Sequence, residues 1–223
     1  MKLRAAADSG SKRYISREGD TVVGVVVERG AENYRISLGG SRVAQLPVLA
    51  FDGASKRNKP NLQVGTIVYA RVSRVDRDLS PVLSCEVVSG PKKDWVTGES
   101  VFGELAGGTT VQVPLHHAKR LLSSRSEVLS ALGRHFPFEV CVGLNGVIWV
   151  HSTSTARTVL ASLVVTRSQN VPEAGAAGFV DRVAAAAGLR STGARRRPTP
   201  TPTPTPTPAS GSGAGSASAP MST

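Results

Sequence analysis

The chain has 223 residues, with 27 Lys+Arg against 16 Asp+Glu for a formal net charge of +11. The last 33 residues hold no segment able to build a core, so the foldable part runs from about 14 to 190, enough for one or two domains. The longest apolar runs, such as Val22 to Val27, fall far short of the ~20 residues that cross a bilayer, and Lys2 and Arg4 lack the apolar stretch that would follow them in a secretory signal, so neither a membrane protein nor a secreted one is expected.

Residues 1–13 are polar, basic and alanine-rich and read as a disordered extension. From 19 to 88, short β-branched segments alternate with turn residues. Val22 to Val27, Tyr34 to Leu38, Val43 to Leu46, Ile67 to Val72 and Val82 to Val88 are five strand candidates. The third and fourth are separated by a long connection from Phe51 to Gly65. Five strands with that spacing predict a small Greek-key barrel of the oligonucleotide-binding type over residues 14–90. Such a barrel raises the prospect of nucleic-acid binding without settling it.

Pro91 opens a linker, and residues 91–190 read as an α+β module. Val101 to Leu105 and Thr110 to Leu115 are short strands, His116 to Leu122 and Glu127 to His135 short helices, and Phe138 to Val142 with Val147 to Val150 a hairpin. Thr155 to Arg167 and Glu173 to Leu189 follow as longer helices, the first carrying Val159, Leu160, Leu163 and Val164 at spacings of three and four. Residues 191–223 run through Arg195, Arg196 and Arg197 into an alternating Pro-Thr stretch and a Gly/Ser/Ala end. Proline in alternation supplies no hydrogen-bond donors for helix or ladder, so an extended, disordered tail is expected. Cys85 and Cys141 lie in apolar strand-like segments and read as reduced core residues of an intracellular protein.

More than half of the positive excess sits on the two ends of the chain. A basic balance favours an anionic partner, because Lys and Arg displace counterions from phosphate. The richest internal cluster is Lys56-Arg57-Asn58-Lys59, three cations and an amide inside the longest barrel connection. Its donors suit phosphate oxygens, although a solubilising loop or a protein contact would use the same residues. Pro60 biases Lys59 toward an extended backbone. Aromatic residues make up only 4% of the chain, and of Tyr34, Phe51 and Tyr69 in the barrel only Tyr34 is placed on the binding face. Weak base stacking and salt-sensitive, sequence-tolerant binding are therefore expected. Chemistry finds little footing. His116 and His117 are neighbours pointing about 100° apart on a helix, Asp76 and Asp78 sit among Arg74 and Arg77, and no C-x-x-C, H-E-x-x-H or P-loop occurs. No catalytic residue, metal, cofactor or small-molecule substrate is predicted.

The strings Gly19-Asp20-Thr21-Val22-Val23-Gly24, Leu38-Gly39-Gly40-Ser41 and Phe51-Asp52-Gly53-Ala54-Ser55-Lys56-Arg57-Asn58-Lys59-Pro60-Asn61, followed by Gly65, resemble the S1 domain of RNA exosome cap subunits of the exosome component 3 family. Gly143-Leu144-Asn145-Gly146 with Ile148-Trp149-Val150 is similar to the G-x-N-G signature of that family's KH domain. The resemblance implies a non-catalytic subunit that helps form an RNA-binding cap on a ring of RNase-PH-like subunits, beside other cap subunits. Such a subunit guides RNA toward 3′→5′ processing or decay in nucleus, nucleolus and cytoplasm. A free-standing S1/KH protein that binds single-stranded RNA outside any ring is the alternative.

A nucleic-acid-clamping KH loop is G-x-x-G between two helices. Here the tetrad lies between strand-like segments, and Asn145-Gly146 suits a tight hairpin turn. Gly143, Asn145 and Gly146 therefore read as structural, packing the second module against the barrel, and Trp149 as core or interdomain filler. Family members usually carry a further small β-rich domain ahead of the barrel, which Met1 to Lys12 are too few to make. That leaves either a truncated gene model or a form that docks through other surfaces.

Overall fold

The computed structural model describes residues 13–40, 42–88, 100–123 and 126–188. The expected N-terminal extension up to Lys12, the linker at Pro91, the position of Ser41 and the Pro-Thr tail lie outside the described residues.

Alternating apolar positions build the barrel. In β1 (Thr21–Arg29), β2 (Asn33–Ser37), β3 (Val43–Pro47), β4 (Ile67–Arg74) and β5 (Val82–Ser84), residues such as Val22, Val26, Ile36, Leu46, Val72 and Leu83 point inward to one core. The long β1 pairs antiparallel with β4 through residues 21–25 and with β2 through residues 25–29, shifting register between Val26 and Glu28. β3 meets β5 in parallel, β5 meets β4 antiparallel, and the β1–β4 ladder closes the barrel.

Two strands depart from the sequence expectation for one physical reason. β5 stops at Ser84 rather than Val88, because the chain turns aside to brace the long connection. Cys85 N donates to the Ala50 carbonyl at 2.8 Å, and Val87 N donates to the Asp52 carboxylate at 2.8 Å. With β5 covering only Arg71 to Arg74, the edge of β4 at residues 67–69 stays open. β6 (Gly103–Leu105), expected in the second module, pairs antiparallel with that edge, and the Phe102 ring sits 5.2 Å from Tyr69.

The second module is a three-stranded antiparallel sheet, β7 (Thr109–Gln112), β9 (Val147–His151) and β8 (Glu139–Val142) in that order, with helices on one face. α1 (Leu115–Leu122), α2 (Glu127–His135), α3 (Thr155–Arg167) and α4 (Ala176–Ala186) pack around Leu132, Ile148, Val150, Ala161, Val164 and Val180. α4 starts later than expected, since Glu173–Gly175 form a 3₁₀ turn after Pro172. Buried His117 ties α1 to the end of α3: its Nε2 lies 3.0 Å from the Val165 carbonyl, while Nδ1 accepts from Arg120 Nη2 at 3.0 Å. Burial lowers the His117 pKa, opposed in part by the bond to Val165, and the neutral ring serves both contacts. His116 is not fully buried, and no cluster of three or more metal-ligating side chains occurs among the described residues.

Both cysteines are free. Burial raises the Cys85 thiol well above its usual range and pushes Cys141 up to about 11. Thiol reagents at pH 7 are expected to label the folded chain slowly and the unfolded chain at once. Rapid labelling of Cys85 under native conditions would contradict its place in the barrel core.

Candidate nucleic-acid interface

The long connection between β3 and β4 is held at both ends and open in the middle. Phe51 is buried and bridges to Cys85, Ala54 N donates to the Phe51 carbonyl at 3.0 Å, and the Asp52 carboxylate is buried below. At the far end Leu62 enters the core. Between them Lys56, Arg57, Asn58 and Lys59 are all exposed, on a small turn in which Ser55 N donates to the Asn58 carbonyl at 2.8 Å and Asn58 N to Ser55 Oγ at 3.1 Å. Three other barrel cations are engaged: Arg35 with Glu28 at 2.9 Å, Arg74 with Asp76 at 3.2 Å, and Arg42 with the carbonyls of Arg77 and Leu79. Among the described residues, no carboxylate lies within ion-pairing distance of Lys56, Arg57 or Lys59. Three cations on an anchored loop thus face solvent with no acidic partner among those residues, which suits a polyanion.

Tyr34 is not on an exposed binding face. It is 2% exposed, its ring lies in the barrel core, and its hydroxyl donates to the Pro60 carbonyl. β2 turns Tyr34 and Ile36 inward and Arg35 outward, so strand alternation takes the ring away from solvent. Its contribution is to clamp the end of the basic loop. No aromatic ring among the described residues is exposed, so the groups this loop offers a strand are its charged and amide side chains.

The Gly143–Gly146 tetrad closes the β8–β9 hairpin. Gly146 N donates to the Gly143 carbonyl at 3.0 Å, centring the turn on Leu144 and Asn145, one residue earlier than an Asn-Gly turn. Gly146 then takes φ +82°, as in a turn followed by a glycine bulge. The tip of this turn docks on the barrel. β2 pairs with β1 only from Val25 onward, so the same edge of β1 is open before it. Leu144 N donates to the Thr21 carbonyl at 2.8 Å; Asn145 Oδ1 accepts from Val23 N at 3.2 Å; and Asn145 Nδ2 donates to the carbonyls of Val23 and Leu38 at 2.8 and 3.0 Å. Asn145 is 5% exposed, and three of its four hydrogen-bonding positions are used on otherwise orphaned backbone groups.

Trp149 is 3% exposed and, between Ile148 and Val150, lies on the sheet face opposite the helices. Its Nε1 donates to the Gly107 carbonyl at 2.9 Å and its ring stacks on His151.

Residues 14–95 match the family model described as exosome complex component RRP40, S1 domain, and residues 108–156 match a KH domain model. Over 155 residues the chain is 41% identical to exosome complex component rrp40 of Schizosaccharomyces pombe, an alignment covering 69% of this chain and 62% of that one. A Dictyostelium discoideum relative with the same rrp40 designation is 36% identical over 166 residues, covering 74% of this chain and 67% of the relative. The chain belongs to the Rrp40 family. It spans less than two thirds of the Schizosaccharomyces pombe relative, and in Saccharomyces cerevisiae the exosome complex component RRP40 is 38% identical with 63% of its length covered. A crystal structure of a protein assigned as an exosome complex RNA-binding protein shares the fold: TM-score 0.59 at 20% identity, covering 78% of this chain and 98% of that one.

For this Rrp40-family chain, sequence reasoning singles out the basic loop but passes over Arg29. That residue ends β1, is exposed, and lines a cleft with Lys59 and Pro60. An arginine before a turn glycine is a faint signal. That the turn faces the far end of the basic loop depends on how the barrel closes.

Proposed function

We propose that this chain is a non-catalytic RNA-binding cap subunit of the RNA exosome, in the place of exosome component 3, guiding RNA into the complex for 3′→5′ processing and decay. The observation that carries the reading is the anchored loop of Lys56, Arg57 and Lys59, exposed and without carboxylate partners among the described residues. Family membership and the names of the relatives support it. RNase-PH-like ring subunits and other cap subunits are its partners in this reading, and nucleus, nucleolus and cytoplasm its locations. Its contribution is surface: phosphates pass along a cationic loop while the bond-breaking groups belong elsewhere.

Affinity purification of the tagged chain from its source tests the assembly, with RNase-PH-like subunits expected in the eluate and their absence counting against it. For the RNA contact, Lys56→Glu with Arg57→Glu is expected to weaken single-stranded RNA binding roughly tenfold and to flatten the salt dependence, at about 0.7 in the log–log slope per phosphate lost. Thermal stability should not change, since both side chains are exposed. Equal affinity and slope in parent and variant, measured by fluorescence anisotropy and in the reconstituted complex, would take the loop out of the RNA path. RNA incubated with the purified chain alone is expected to stay intact.

A further inference from the structure

The cleft beside the basic loop has a volume of about 580 Å³, within the ~300–1,000 Å³ range of small-ligand sites. One wall is the β1–β2 turn with Arg29 and Gly30; the other is the outgoing end of the loop, Lys59, Pro60 and Asn61, with Tyr34 between them. Both walls are fixed. Gly30 N donates to the Asn33 carbonyl at 2.9 Å, closing the turn, and Tyr34 OH holds the Pro60 carbonyl.

The chemistry of the lining is one-sided. Its ionisable side chains that carry charge at neutral pH are Arg29 and Lys59, both cations, and no carboxylate among the described residues lies within ion-pairing distance of either. Of the two acids that flank this turn, Glu28 is engaged by Arg35 at 2.9 Å, and Glu32 is exposed without lining the cleft. Pro60 has no N–H to offer an anion, and its carbonyl accepts from Tyr34 OH, so the donors that can hold a phosphate here are the side chains of Arg29 and Lys59. Asn61 adds a carboxamide, donor and acceptor together, which matches a ribose hydroxyl. No aromatic ring lining the cleft is exposed, so a base seated there is not read by stacking.

We propose that this cleft seats one ribonucleotide unit of a passing strand, its phosphate between Arg29 and Lys59 and its sugar against Asn61, with no preference among bases. The proposal rests on the RNA-binding reading above and adds Arg29 and the β1–β2 turn to it. The seat holds the strand at a fixed point, whereas the Lys56-Arg57 end of the loop only attracts it.

The test uses the full chain labelled with ¹⁵N, with uridine 5′-monophosphate and a uridine dodecamer as probes. Uridine monophosphate is expected to shift the amide signals of Gly30 and Asn61. Arg29→Gln with Lys59→Gln should abolish those shifts, weaken dodecamer binding about tenfold and reduce the log–log salt slope by about 0.7, one phosphate's worth on a single strand. The rest of the amide spectrum should be unaltered, because both substituted side chains are exposed. The Lys56→Glu, Arg57→Glu variant should keep the monophosphate shifts, which separates the seat from the loop. If parent and Arg29→Gln, Lys59→Gln chains bind the dodecamer equally, the seat is wrong while the RNA reading stands. A parent chain that binds no dodecamer overturns both.

Discussion

Asn145→Leu is expected to destabilise the chain by about 3–5 kcal/mol, read from urea denaturation, although leucine has the same number and branching of side-chain heavy atoms as asparagine. The side chain fills no core; its worth lies in three backbone groups it satisfies. Val23 N–H and C=O and Leu38 C=O face Asn145 at 2.8–3.2 Å, where the β1–β2 ladder has run out. Leucine leaves them buried without partners, at about 1–3 kcal/mol for each group that water does not reach. Asn145→Asp separates this account from simple packing. Aspartate still accepts from Val23 N–H but sets a carboxylate against two carbonyl oxygens in a desolvated site, so its folded pKa rises above the unfolded value of about 3.9. The Asp variant should therefore come nearest the parent at low pH, where the acid is protonated and can donate, and lose stability as pH rises from the unfolded pKa through the folded one. An Asn145→Leu chain with stability within about 1 kcal/mol of the parent would show that water or a shifted turn satisfies those groups, and that the two modules are not latched through this residue.

Much of this fold is legible as pattern. β-branched alternation locates the barrel strands to within a few residues, because a closed barrel needs one inward face per strand. What pattern cannot supply is which edge each short segment fills. β6 looks like part of the second module from its place in the chain. It joins the barrel because β5 leaves the ladder at Ser84 and exposes β4, the departing chain being held by Cys85 N on the Ala50 carbonyl and Val87 N on the Asp52 carboxylate. Tyr34 fails for a related reason. Composition marks an aromatic in a barrel strand as a stacking ring, whereas register decides which way it points, and a one-residue offset would reverse the answer. Lys56, Arg57 and Lys59 are readable as a cluster since local sequence alone makes them one. Arg29, 27 or more residues earlier in the chain, joins them only through the cleft.

Gly146→Val is expected to cost about 3–5 kcal/mol and to lower the melting temperature by tens of degrees or abolish folding, a larger effect than its exchange of one buried residue for another suggests. Two penalties combine. The backbone sits at φ +82°, where a β-branched residue is strained, and a Cβ at that position meets the Val113 carbonyl oxygen at 2.5 Å. That carbonyl oxygen belongs to rigid backbone, so the turn itself must move, carrying Leu144 and Asn145 away from Thr21 and Val23. Gly146→Asn divides the two penalties: asparagine accepts the left-handed conformation but still has a Cβ. If backbone strain alone mattered, Asn would be nearly tolerated; the 2.5 Å approach requires that it fail almost as badly as Val. Gly133, inside α2 and with nothing within 4 Å of where an added methyl would lie, supplies the control, since Gly133→Ala should be neutral or stabilising by about 0.5–1 kcal/mol. A Gly146→Asn chain as stable as the parent would mean that the turn can draw back from the Val113 carbonyl without strain, and that the hairpin of the second module grips the open edge of the barrel's first strand less tightly than its hydrogen bonds to Thr21 and Val23 require.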